Sequence, residues 1–202
     1  MDGRTGTAGT ATVRRVTLTP GARRVLAAAE RLFYDRGIHA VGVDTIAAEA
    51  GVTKKTLYDR FGSKDQLVVE YLAGRDDRWR AFLIGRIDTA PPEPAARIVA
   101  IFEASRDWTL ANSAKGCSFV NAHAEIGPEH PAHTVITEEK RWILALCTRL
   151  AGEHFPGHGE RLGRELMLLH EGSLVAYGLT IFPDALDLAT DRARALLQTG
   201  NA

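Results

Sequence analysis

The stretch from Val41 to Leu67 reads VGVDTIAAEAGVTKKTLYDRFGSKDQL, and its spacing decides the fold. Val43, Ile46, Ala47 and Ala50 fall on one face of a short helix. Gly51 stands where a tight turn needs an unhindered backbone, and Val52 can plug the angle between two helices. Thr53 suits the cap of a second short helix, with Leu57 and Phe61 on its apolar face. Its other face carries Lys54, Lys55, Thr56, Asp59 and Arg60. Ser63 followed by Gln66 forms a capping box that opens a longer helix through Leu67, Val68, Tyr71 and Leu72. Two short helices joined by a glycine-containing turn, behind a longer helix, predict a tri-helical DNA-binding unit with its helix-turn-helix at residues 42–62.

The flanking sequence completes this unit. Thr19 and Pro20 are the cap and first residue of a helix whose buried face is Ala22, Val25, Leu26, Ala29, Leu32 and Phe33. Gly37 ends it. Residues 1–18, rich in Gly, Thr and Arg, read as a flexible, solvated arm, with phosphate contacts by Arg4, Arg14 and Arg15 as the weaker reading. Downstream, Pro and Gly breaks divide the chain into helices to about residue 86 and near 95–112, 117–126, 132–152, 160–181 and 184–198. No segment carries a strand pattern. The expectation is an all-α protein: an arm over 1–18, a three-helix DNA-binding head over 19–65, and a larger ligand-binding and dimerisation region over 66–202.

Composition narrows the functional classes. The 202 residues are 45% hydrophobic and 25% charged, with 25 Lys and Arg against 25 Asp and Glu. The zero balance hides an asymmetry, with a basic front third and an acidic remainder, which fits two modules with different partners. No apolar run approaches the roughly 20 residues of a membrane span, and the N-terminus lacks an apolar signal core. Two cysteines, Cys117 and Cys147, make no disulfide framework, so a cytoplasmic location is expected. There is no glycine-rich phosphate loop, no GxSxG elbow and no paired metal motif, so no enzyme activity and no cofactor are expected.

The pattern Ile46-Ala47, Ala50-Gly51-Val52-Thr53, Thr56-Leu57-Tyr58, Phe61, Lys64 and Leu67 resembles the tetracycline-repressor (TetR) family over about residues 20–72. Residues 116–122, GCSFVNA, are similar to a subgroup of such regulators. The resemblance implies a homodimer, a palindromic double-stranded operator, and repression relieved by a small molecule. It also implies that Tyr58, Arg60 and Lys64 hold phosphates. One departure is Gly42, where the family usually places Ser or Thr. Glycine still caps a helix, but the side-chain phosphate contact is lost.

Side chains on the first half of a reading helix reach base edges in the major groove, which selects Thr53, Lys54, Lys55 and Thr56. Lys64 sits in the first turn of the next helix, where the dipole favours an anion. Thr45 is a further phosphate candidate. A solvated face would equally explain the two lysines taken alone, and packing against the first helix would explain Tyr58.

An effector pocket is expected among the helices after residue 64, with Phe102, Trp108, Phe119, Asn121, His123 and Trp142 as its lining and an apolar or aromatic compound as its occupant. The last two helices are the expected dimer surface, through Leu166, Leu169, Leu174, Val175, Leu179, Leu188, Ala195 and Leu196; closure of each subunit's own core is the other reading. His123, Glu125, His130 and His133 match no strong zinc spacing, so no metal is expected. Cys117 reads either as a redox-sensing thiolate at a helix start or as a buried inert thiol. Two other functions remain open at this point: a DNA-binding regulator without a small ligand, and a helical small-molecule-binding protein or enzyme.

Overall fold

A computed structural model describes residues 15–199, and all regular structure among them is helical. The order is α1 (Pro20–Arg36), α2 (Val43–Glu49), α3 (Lys54–Phe61), α4 (Lys64–Thr89), α5 (Pro94–Asn112), α6 (Ser118–Glu125), α7 (Ala132–His154), α8 (Gly159–Gly178) and α9 (Ala185–Thr199).

Local chemistry sets the ends of the first four helices. The Thr19 hydroxyl accepts from Ala22 N at 3.3 Å, Thr53 from Thr56 N at 3.1 Å and Ser63 from Gln66 N at 3.0 Å. Each satisfies an amide that the helix leaves orphaned. Gly42 caps α2 by backbone alone, as its missing side chain requires. Gly51 takes φ +62°, the left-handed turn that sends the chain from α2 into α3.

Two hydrophobic clusters organise the molecule. The first joins α1, α2 and α3 to the Leu67–Ala73 stretch of α4, and continues into Phe119, Ala122 and Ile126 of the α6 region and Val135 and Ile136 of α7. The second packs Trp79, Leu83 and Ile87 of α4 against α5, α7, α8 and α9. Helix α4 belongs to both, so the three-helix head is rooted in the larger helical body by a continuous core and not by a hinge of loose chain.

The α7–α8 pair is the tightest seam. A Cβ placed on Gly163 would lie 2.4 Å from Thr148 Oγ1 and 2.6 Å from its Cα, and one on Gly159 would lie 2.6 Å from Gly152 Cα. Glycine at these positions lets the two backbones touch.

Of the expected arm, residues 1–14, including Arg4 and Arg14, lie outside the described residues. Residues 15–18 are held. Glu70, fully buried in α4, accepts Val16 N at 2.6 Å, Arg15 Nε at 3.0 Å and Gln66 Nε2 at 3.2 Å, and Arg15 also meets Asp77 at 2.9 Å. A buried carboxylate needs such partners, and the backbone N–H of Val16 supplies one that only a fixed segment can give. Arg15 and Val16 are thus tied to α4, and Val16 and Leu18 pack against the first core.

Candidate nucleic-acid interface and effector cavity

Helix α3 has two faces of opposite character. Leu57 is 0% exposed and Phe61 4%, whereas Tyr58 is 41% exposed, and Thr53, Lys54, Lys55, Asp59 and Arg60 all face solvent. Thr56 and Lys64 are half-buried at the edges, and Thr45 is exposed on α2. Six of the eight sequence-predicted residues are thus exposed, and five of these, Thr53, Lys54, Lys55, Tyr58 and Arg60, lie on or cap α3 and make its outer face a polar ridge. The buried face of α3, with Ile46 and Ala47 of α2, fixes that ridge to the head's core.

The ridge is internally braced. Lys54 Nζ lies 3.0 Å from Asp44 Oδ2 and Lys55 Nζ 2.7 Å from Asp59 Oδ2. The hydrogen bond from Lys54 to Asp44, and the charge behind it, hold the ammonium above its ordinary lysine range. Thr53 and Thr56 hydroxyls share a hydrogen bond of 2.9 Å. Lys64 Nζ sits 6.0 Å from the Phe33 ring centroid. Each exposed lysine can trade its carboxylate for a phosphate or a guanine edge at little net loss, because exposed ion pairs contribute little.

The second feature is a cavity between α4, α5, α6, α7 and α8. Its walls include Arg75 and Trp79 of α4, Ser105, Trp108 and Thr109 of α5, Cys117 and Phe119 at the start of α6, Glu139 and Lys140 of α7, and His170 and Leu174 of α8. Its volume is about 40 Å³, space for a few waters.

Trp108 and Phe119 are the expected lining residues found there. The other four are elsewhere. Phe102 is buried in the second core with its ring edge toward His170, at 6.1 Å. Trp142 lies under the Arg80 guanidinium at 4.5 Å. Asn121 and His123 are on the outward side of α6, where Asn121 Nδ2 donates to Lys115 O at 3.0 Å. The α6 periodicity accounts for two of these placements: Phe119 and Ala122 take the buried face, which turns residues 121 and 123 outward.

Sequence reasoning missed the polar wall. Lys140 Nζ reaches Glu171 Oε1 at 3.0 Å and Cys117 Sγ at 3.3 Å. It also lies 3.1 Å from Glu139 Oε2, though off the line of a hydrogen bond, so that oxygen gains charge compensation without a directed donor. Burial works against the ammonium, but Cys117, Glu139 and Glu171 outweigh it and raise its pKa. Burial pushes Glu139 up. Burial would raise Glu171 too, yet the His170 hydrogen bond and the Lys140 charge pull it down to about 2. The Cys117 thiol, desolvated, is pushed up despite the nearby ammonium. A run of α7 residues reading EEK looks like a solvated face, and only the α7–α8 seam reveals that it is not.

The expected dimer residues divide. Leu166 and Leu174 are buried, and Leu169 and Leu196 pack against the subunit's own second core. Val175, Leu179 and Leu188 are exposed, together with Leu168, Ile181 and Phe182, which sequence reasoning omitted. The histidine group does not converge. The His123 and His133 rings lie 5.6 Å apart, tilted at 49°, while His130 turns to Asp65 at 3.3 Å and Glu125 accepts His39 N at 2.8 Å. No helix among the described residues is long and apolar enough to cross a membrane.

Residues 25–71 match the family model described as bacterial regulatory proteins, tetR family. SCO4454, a TetR-family transcriptional regulator from Streptomyces coelicolor, superposes with a TM-score of 0.78 at 33% identity, covering 88% of this chain and 92% of that one. An uncharacterized HTH-type transcriptional regulator of Mycobacterium tuberculosis is 29% identical over 162 residues, 69% of this chain and 77% of its own length. The HTH-type transcriptional repressor KstR2 of Mycolicibacterium smegmatis is 38% identical over 92 residues, 43% of this chain and 42% of its own. With its helix-turn-helix in place and such likeness along nearly its whole length, the chain belongs to the TetR family of DNA-binding transcriptional regulators.

Proposed function

We propose that this regulator is a cytoplasmic homodimeric repressor that reads a palindromic operator through α3 and releases it when a small molecule enters the α4–α8 cavity. The observation that carries the reading is the two-faced α3. Its apolar side is wholly buried, while Lys54, Lys55 and Arg60 stand out around Tyr58. A helix presented in this way fits the major groove.

Thr53, Lys54, Lys55 and Thr56 contact base edges in this reading; Thr45, Tyr58, Arg60 and Lys64 contact phosphates and set the register. One short helix spans too few base pairs to specify a site, so two are needed, about 34–36 Å apart or at a related spacing. Leu168 and Val175 of α8 and Leu179 at its C-cap recur at seven and four residues and form an exposed apolar stripe. With Ile181, Phe182 and Leu188 beside them, they support a dimer through α8 and α9. The head over 19–65 and the body over 66–202 then act as reader and sensor, coupled through the α4 they share.

Selection of binding sites from random duplexes, followed by affinity measurement at 50 and 200 mM salt, tests the proposal. The expected result is a palindromic site holding two chains, with affinity falling by about 10³–10⁵ across that range for 6–10 phosphate contacts. A protein that selects no sequence and binds no duplex at low salt would refute it.

A further inference from the structure

We infer that the cavity takes a compact aromatic carboxylate, anchored by its anionic group on Arg75; this rests on the effector reading above and names its ligand. The cavity's charges are unequal in their commitments. Lys140 is already shared between Glu139 and Glu171. Asp76, one residue from Arg75 on α4, is held by Arg80 at 2.7 Å, and Glu30 of α1 by Arg78 at 3.1 Å. Among the described residues Arg75 meets no carboxylate. Its Nη2 donates to the Asn112 carbonyl at 3.1 Å and to the Ser113 hydroxyl. Its guanidinium lies 5.3 Å from the Tyr34 ring centroid and 5.9 Å from that of Trp108.

An arginine beside aromatic rings on the cavity wall, with Nε and Nη1 making no hydrogen bond to the protein among the described residues, matches a planar carboxylate in a bidentate pair. The surrounding wall supplies a bed for one ring. Trp79 and Trp108 stand 5.7 Å apart, tilted at 55°, with Phe119 also on the wall. At about 40 Å³ the cavity is smaller than the roughly 150 Å³ that holds a benzene ring, so the helices part to admit even a single ring and a larger ligand is disfavoured. An organic cation fits less well, because Glu139, the carboxylate on the wall, already faces Lys140.

The same geometry explains how such a ligand reaches the head. Arg75 ties α4 to the C-terminal end of α5, and its Tyr34 platform ties α1 to the next loop. The Tyr34 hydroxyl accepts Lys115 N at 2.7 Å and donates to Gly116 O at 3.3 Å. A carboxylate that draws Arg75 from Asn112 and Ser113 loosens α4 from α5 at the helix that carries the DNA-binding head. Binding would then favour one spacing of the two heads over another.

The test is a charge series on the purified full chain without DNA: benzoate, benzamide and benzylamine, read by intrinsic tryptophan fluorescence in a Trp142→Phe background, which leaves Trp79 and Trp108 as the reporters. This background should bind benzoate at least about tenfold tighter than either other probe, one decade corresponding to about 1.4 kcal/mol. Arg75→Gln should abolish that preference and leave weak benzamide binding in place, with Arg75→Lys intermediate. Tightest binding of benzylamine, lost in Glu139→Gln, would overturn the assignment. So would equal binding of all three probes, or none at millimolar concentration. Operator release is measured separately: Arg75-dependent benzoate binding that leaves DNA affinity unchanged would sink the effector reading while sustaining the ligand assignment.

Discussion

Lys55→Ala separates the reading role of α3 from its role in the fold. In the protein alone, the Lys55 side chain is 83% exposed, and its partner Asp59 is 57% exposed one helical turn away. A pair of this kind contributes about 0.3–0.5 kcal/mol. Its loss should therefore move the thermal midpoint by no more than about 2 °C in a chain of this size. On DNA the same ammonium faces a guanine edge or a phosphate from which water is largely excluded, where a good base contact discriminates by about 1–3 kcal/mol. A dimer loses that contact twice. The variant should bind a selected operator weaker by about 2–6 kcal/mol, at least 30-fold, while its melting curve overlays the wild type. Fluorescence anisotropy with the operator and circular dichroism melts on the same sample give both numbers.

Asp59 gives the converse. Asp59→Asn removes the carboxylate that occupies Lys55 and a negative charge that would face phosphates. Binding to any duplex should tighten, most at low ionic strength, where screening is weakest. Unchanged operator affinity in Lys55→Ala, or weaker general binding in Asp59→Asn, would refute the groove-facing orientation of α3. A large drop in melting temperature for Lys55→Ala would mean that the residue supports the fold and that the exposed-face picture is wrong.

Gly163→Ala should cost about 1–3 kcal/mol by forcing α7 and α8 apart at Thr148, where a Cβ would sit 2.4 Å from Oγ1; denaturant melts read this, and an unchanged midpoint would contradict the close seam. The pH dependence of stability should carry the signature of Glu171. Its native pKa, lowered to about 2, lies below the ordinary glutamate value near 4.3, so its contribution is complete above that value and is lost as pH falls toward 2. Lys140→Met removes one of the two groups that lower it, so stability should fall less steeply over that range. Identical acid slopes for the two proteins would count against the Lys140 contact.

The fold was legible because its signals are local. Thr19, Thr53 and Ser63 each precede an amide three residues on that they cap, and Pro20, Gly37 and Gly51 mark ends that only their own backbones decide. The α3 ridge was legible for a related reason: on an eight-residue helix, assigning Leu57 and Phe61 to the core leaves the other side chains one direction to go. The cavity was not legible because its wall is assembled from five helices, and no periodicity says which turn of α4 meets which turn of α8. Aromatic residues were the natural guesses, yet Phe102 and Trp142 went to the core and to Arg80, while Arg75, Glu139 and Lys140 went to the wall.

The anchoring of Arg15 and Val16 was hidden for the same reason and has a sharper consequence. Composition predicts mobility there, and composition counts the chain's own apolar content without seeing what it lies against. Glu70 occupies a position in α4 between Val69 and Tyr71 where every neighbour is buried, and a carboxylate there must be met by donors. The head offers few, since α4's own amides are committed to the helix. The incoming backbone of Val16 and the guanidinium of Arg15 are what satisfy it. The anchoring of Val16 was thus encoded 54 residues downstream, in a single acid placed where an apolar residue would be expected.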